Sequence, residues 1–219
     1  MLTTTEQARQ NMVENQVRTW DVLDARVLDV LRDVRREDFV PARHRNLAFA
    51  DLALPIGHDE VMLKPVLEGR LLQALALQPG DKVLEIGTGT GFLTACIARL
   101  AGSVTSVELH ADFAEAARAK LAAAQVRNAK VETADALRDF DSHEQFDAVV
   151  VGGAVWSLPE RVRGWVKPGG RLLAIVGESP AQQVTLYSRA ADSRWSSESL
   201  FETDVPYLRN AEPPRRFTL

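Results

Sequence analysis

Cysteine is almost absent: Cys96 stands alone among 219 residues. An internal disulfide is therefore excluded, and no Cys/His group stands at zinc-ligand spacing, so no metal is expected. Also missing is any run of roughly 18 uncharged apolar residues, the length a membrane helix needs. Residues 1–20 lack the apolar core of a signal peptide. The expectation is a cytoplasmic protein with no membrane partner. Positive charge is not in excess either, because 26 basic against 30 acidic residues give −4. Such a chain has no global attraction for phosphate backbones, and nucleic acid is not an expected partner. What is present is a 46% hydrophobic, 26% charged composition, which suits a globular domain with a sizeable core.

Residues 5–34 carry apolar positions at helical spacing, with Val22, Val27, Val30 and Leu31 on one face and Asp21 and Asp24 near a helix start. Between Arg35 and Pro65 the pattern dissolves, and Pro41, Pro55, Gly57 and Pro65 break any long helix. An apolar irregular segment of that length points to function rather than disorder. From Val66 a helix leads into a strand at 82–86, and strands recur at 103–108, 129–133, 146–152 and 171–176 between helical stretches. That alternation predicts a Rossmann-like α/β fold, a mostly parallel sheet with helices on both faces. Residues 182–189 and 199–205 read as antiparallel additions at one edge. The expected organisation is a helical and irregular extension, 1–65, packed on a core, 66–219. Arg215 and Arg216 read as a solvated end.

The most informative segment is VLEIGTGTGFL, a strand running into Gly87, Thr88, Gly89 and Gly91 and then a helix. Dinucleotide sites space their glycines as G-x-G-x-x-G, with the pyrophosphate on the helix N-terminus. Here the third glycine comes one residue early and Glu85 precedes the first. A carboxylate beside the loop repels a pyrophosphate but suits an ammonium and a sulfonium, so the expected ligand is S-adenosyl-L-methionine. Glu108, followed by Leu109, ends the next strand, where a carboxylate accepts from a ribose diol; the plain alternative is a solvated strand end. Asp135, followed by Ala136, ends the third, where it suits either an adenine amine or a helix N-cap. Gly152 closes the fourth strand on the same crevice.

Taken in order, RREDFVP (35–41), LPIGH (54–58), VLEIGTGTGF, FDAVVVGGA, VKPGGRLLAIVG and DVPYL (204–208) resemble the protein-L-isoaspartate O-methyltransferases. The likeness covers most of the chain. It implies a class I methyltransferase fold and methylation of isoaspartyl carboxylates in damaged proteins, with S-adenosyl-L-homocysteine as product. It also implies cofactor contacts at Glu85, Gly87, Gly89, Glu108 and Asp135.

The substrate loop departs from the family's Gly-Gln-Thr-Ile-Ser-Gln-Pro. Here His58 is followed by Asp59, Glu60, Val61, Met62, Leu63, Lys64 and Pro65, so Val61 and Leu63 replace the two hydroxyl residues. An aliphatic side chain orients an accepting carboxylate less well than a hydroxyl does. His58 either polarises a substrate or makes a structural hydrogen bond. After the fourth strand, Gly152-Gly153-Ala154-Val155 replaces the family's Thr-Ala-Ala-Pro. Besides isoaspartyl methylation, two readings stay open: transfer to another acceptor such as a small molecule, and a non-catalytic cofactor-binding module. A carboxylate acceptor is already anionic, so no general base, and no catalytic residue, is assigned. No feature of the sequence fixes an oligomeric state.

Overall fold

Thr3 opens the first helix with a capping box, its hydroxyl accepting from the Glu6 amide while Glu6 accepts from the Thr3 amide. The computed structural model describes residues 3–214, so Arg215 and Arg216 lie outside the described residues. Helix α1 (Thr4–Met12) widens into a π-helical turn at Val13–Val17 and then tightens through Arg18–Trp20 into Asp21, which is left-handed at φ 64°. Helix α2 (Ala25–Asp33) then starts at Asp24, whose carboxylate accepts from the Arg26 amide at 2.9 Å. The expected single extension is thus broken in two. Asp24 is the cap, and Asp21 is the break.

The segment expected to be irregular contains a hairpin. Strands β1 (Leu54–Gly57) and β2 (Glu60–Met62) pair antiparallel around His58 and Asp59, at φ 52° and 63°. Two successive positive φ values are what a type I′ hairpin turn demands. Asn-Gly is the usual signature there, and His-Asp does not announce it.

Beyond the hairpin come α3 (Pro65–Leu75), β3 (Lys82–Ile86), α4 (Phe92–Leu100), β4 (Ser103–Glu108), α5 (Ala111–Ala123) and β5 (Ala129–Thr133). They are followed by β6 (Phe146–Val155), α6 (Glu160–Gly164), β7 (Val166–Val176), β8 (Gln182–Arg189) and β9 (Trp195–Thr203). The sheet order is β5-β4-β3-β6-β7-β8-β9, parallel through β7, with β8 and β9 added antiparallel at the edge. Alternation in β3 sends Val83 to one face and Leu84 and Ile86 to the other. The first face packs against residues of α1 to α5. The second is covered more thinly, by α6, Phe140 and the tail residues Leu208 and Ala211. Between β5 and β6 there is no helix, only the turns around 135–139.

The N-terminal extension belongs to the first core. In α3, a Cβ on Gly69 would come 2.7 Å from Val17 Cγ1 and 3.3 Å from both Leu31 and Val22. Beneath it, fully buried Arg36 contacts the Glu68 carboxylate and donates to the carbonyls of Ala48 (2.9 Å) and Leu63 (2.6 Å). The RREDFVP segment is therefore an internal clamp on the loop that precedes α3. Cys96 is buried in the same core, consistent with a packing role.

Strand β3 has β4 and β5 on one side and β6 on the other, so the chain reverses direction in the sheet at β3. Ligands bind outside the carboxyl ends of strands at such a point.

Candidate active site

At that point lies a pocket, partly open to solvent and lined mostly by apolar groups, as small-molecule sites are. Its floor is Ile86 at the end of β3, Gly87 and Gly89 just after it, Val107 and Glu108 at the end of β4, and Gly152 and Gly153 in β6. One wall is Ala134 to Leu137, another is Leu109, His110 and Phe113, and a third is Ile56, Glu60, Val61 and Leu63. Val205, Pro206, Leu208 and Arg209 complete the rim.

The glycine turn and the tip of β4 are tied together. Gly89, at φ 52°, presents its amide to Glu108 Oε2 at 2.8 Å, while the His110 amide donates to Oε1 at 2.9 Å. Each carboxylate oxygen keeps a lone pair, and the group is 4% exposed. Glu108 is therefore a fixed acceptor aimed from the pocket floor, not a solvated strand end. A Cβ on Gly152 would lie 3.0 Å from the Gly87 carbonyl, so only glycine lets β6 come this close.

Glu85 is placed differently from the expectation. It is fully buried beneath the turn and does not line the cavity. Its Oε2 accepts from Thr94 (2.5 Å) and Ser106 (2.6 Å), and Thr88 donates in turn to Ser106 at 2.6 Å. Oε1 has no partner among the described residues. Burial pushes the Glu85 carboxyl up to about 7, against the pull of the Ser106 and Thr94 hydroxyls. The side chain supports the loop from below, and its carboxylate does not face the pocket, contrary to the expectation. Thr88 belongs to the same buried hydroxyl chain. Gly91 also turns away, its Cβ position lying 3.2 Å from Ala117 in α5.

No helix follows Asp135, so it is not the N-cap that was one of its two readings: its Oδ1 accepts from the Leu137 amide at 2.8 Å within a turn. Its other oxygen accepts from Asn210 at 2.7 Å, and the residue lines the cavity beside Ala136. In the altered loop, Glu60, Val61 and Leu63 form wall, whereas His58 and Asp59 form the exposed turn outside it. Burial pushes the Glu60 carboxyl up, with Arg209 opposing.

The tail is what sequence reasoning missed. Ala154 exchanges backbone bonds with the tail segment 206–208 (Ala154 N to Pro206 O, 3.0 Å; Leu208 N to Ala154 O, 2.8 Å). Buried Gln182 clamps Val205 by both its amide groups, at 3.0 and 2.8 Å. Arg209 donates to the His58 carbonyl at 2.6 Å and lies 3.3 Å from Asp59 and 3.8 Å from Glu60. A Cβ on Gly153 would come 2.7 Å from Leu208 Cδ2, which gives that departure a physical reason. DVPYL was legible as a motif, but only three-dimensional placement makes it the roof of the cavity.

The comparisons agree with this architecture. The model of the protein-L-isoaspartate(D-aspartate) O-methyltransferase family matches residues 7–209. A protein-L-isoaspartate O-methyltransferase of Methylorubrum extorquens is 37% identical over 204 residues, 93% of this chain and 89% of its own. One from Rhodopseudomonas palustris is 37% identical over 202 residues, 92% of this chain and 93% of its own. Among solved structures, a Plasmodium falciparum protein described as such a methyltransferase, in complex with S-adenosyl-L-homocysteine, superposes with a TM-score of 0.78. It is 19% identical, covers 92% of this chain and 98% of its own, and shows the shared fold alone. No helix among the described residues is long and apolar enough to cross a membrane. With a family model spanning nearly its whole length and relatives of the same name at this identity, the chain belongs to the protein-L-isoaspartate(D-aspartate) O-methyltransferase family.

Proposed function

We propose that the protein methylates the carboxylate of isoaspartyl residues in damaged proteins, using S-adenosylmethionine. The observation that carries this reading is the Glu108 carboxylate, held by two backbone amides at the floor of a pocket at the sheet's reversal point. Family membership supports the reaction class, and it favours this acceptor over a small molecule or a non-catalytic role.

The pocket fits the cofactor on its own chemistry. Glu108 offers two acceptor lone pairs suited to a ribose diol, and Asp135 and Ala136 line the wall where the adenine is assigned. Mostly apolar walls from Ile56, Val61, Leu109, Phe113 and Leu208 suit a sulfonium's alkyl surroundings. When bound, the cofactor supplies an electrophilic methyl group. The chain's own part is alignment and exclusion of water. An acceptor carboxylate is anionic at neutral pH, so no residue need remove a proton from it. Arg209 offsets part of the negative charge of Asp59 and Glu60 at the rim, lowering the repulsion that an anionic acceptor would meet there.

The decisive experiment offers methyl-labelled S-adenosylmethionine with an isoaspartyl peptide and the matching aspartyl peptide. Label in the isoaspartyl peptide alone is the expected result. Cofactor binding without transfer would overturn the acceptor and spare the cofactor site.

A further inference from the structure

We propose that His58, His110 and Asp112 form a binding site for a divalent transition metal ion of the zinc type on the rim of the pocket. His58 sits in the hairpin turn, His110 is the residue preceding α5, and Asp112 lies in the first turn of that helix. One ring nitrogen from each histidine and one Asp112 oxygen lie within 4.8 Å of one another. His58 Nε2 stands 3.0 and 3.2 Å from the two Asp112 oxygens, and the imidazoles stack at 4.0 Å and 6°.

A hydrogen bond between His58 and Asp112 accounts for two members of this cluster but not the third. His110 Nε2 is buried and has no hydrogen-bond partner among the described residues. Such a nitrogen carries a desolvation cost that a metal-centred arrangement of the two rings relieves. Two imidazoles and a carboxylate are the donor set of zinc, and of copper or nickel, whereas magnesium prefers oxygen ligands alone. Phe113 packs edge-on against both rings, at 5.0 and 5.4 Å, and walls the cluster on one side.

Tetrahedral coordination at 2.0–2.1 Å sets ligand atoms about 3.3 Å apart, so the cluster must contract by roughly an ångström or more. Lone pairs also lie in the ring planes, so one ring must tilt out of the stack. His58 and Asp112 have that freedom, with side chains 43% and 65% exposed. His110 is the fixed arm. The bound ion links the β1–β2 hairpin to α5 across the pocket entrance, next to the Arg209 contact on the His58 carbonyl.

The proposal does not depend on the methyl-transfer reading and is tested without it. Equilibrium dialysis of the full chain against Zn²⁺ is expected to retain one equivalent per chain, with Mg²⁺ as the control. His58→Ala and His110→Ala should each lose that equivalent, and Asp112→Asn should weaken it by roughly tenfold or more. Thermal melts should rise with Zn²⁺ in the wild type alone and show that the exposed-site variants His58→Ala and Asp112→Asn still fold. Unchanged Zn²⁺ retention in these two variants, or wild-type retention no greater than for Mg²⁺, would overturn the site.

Discussion

The amide of Gly89 donates to Glu108 Oε2 across 2.8 Å, joining the turn after β3 to the tip of β4. One carboxylate therefore both shapes the glycine turn and presents lone pairs to the cavity. Glu108→Ala is expected to weaken S-adenosylmethionine binding by the worth of hydrogen bonds to a charged group, about 1.5–3 kcal/mol, or roughly ten- to a hundredfold in Kd. Isothermal titration with the cofactor and with S-adenosyl-L-homocysteine checks this. Equal affinities in variant and wild type would remove Glu108 from the site.

Glu85 should behave in the opposite way, altering stability and leaving affinity within a few fold. Its folded carboxyl titrates near 7, against 4.5 for the ordinary group. Between those values the folded state holds a proton that the unfolded chain has released. The stabilisation this proton brings is full below about pH 4.5 and is lost as pH rises through 7. Over the whole window it amounts to about 3 kcal/mol. Glu85→Gln keeps a neutral group of the same shape, so its melting temperature should fall less between pH 5 and 7.5 than that of the wild type. Glu68 is also raised by burial, but it is present in both proteins and cancels in the comparison. Parallel pH profiles would show that Glu85 is ionised throughout.

The buried Arg36 and Glu68 pair invites a cycle of substitutions. Removing one member of a buried pair leaves the other charge unmatched, and Arg36→Leu should cost about 3–5 kcal/mol in denaturant unfolding. Arg36→Leu with Glu68→Leu should recover part of that loss. Recovery stays incomplete because Arg36 also satisfies the carbonyls of Ala48 and Leu63, and two buried acceptors then lack a donor. A double variant no more stable than Arg36→Leu would show that the carbonyl contacts, not the ion pair, set the cost.

These outcomes also separate what the sequence made legible from what it did not. Periodicity located the strands 82–86, 103–108, 129–133 and 182–189 because each pattern is local and one or both faces are buried. The acidic strand ends were legible in kind. Glu108 reached the cavity, while Glu85 went underneath, because the direction in which a residue faces as a strand ends depends on neighbours in β4 and α4. The hairpin escaped notice because its turn uses His-Asp in place of glycine or asparagine. His58 and His110 are 52 positions apart, so no spacing rule brings them together; only the docking of the hairpin on α5 does. The same holds for Arg209, whose partners Asp59 and Glu60 lie at the other end of the chain.

The substrate loop gives the sharpest test of acceptor choice. Val61 lines the cavity and is half-buried, whereas Leu63 is 7% exposed and part of the core. Restoring the family's hydroxyls should therefore have unequal effects. Leu63→Ser removes buried apolar volume and should destabilise by about 2–5 kcal/mol, obscuring any gain in activity. Val61→Thr is nearly isosteric and places a donor on the wall, with solvent to relieve the hydroxyl when no ligand is bound. If an isoaspartyl carboxylate is aligned there, one added hydrogen bond to a charged acceptor should raise kcat/KM for the isoaspartyl peptide by roughly tenfold or more. The Kd for S-adenosylmethionine should not change. A rate that is flat or lower, with the protein still folded and cofactor still bound, would mean that the acceptor carboxylate does not pass Val61. The altered loop would then mark a different acceptor path rather than a weakened version of the family's own.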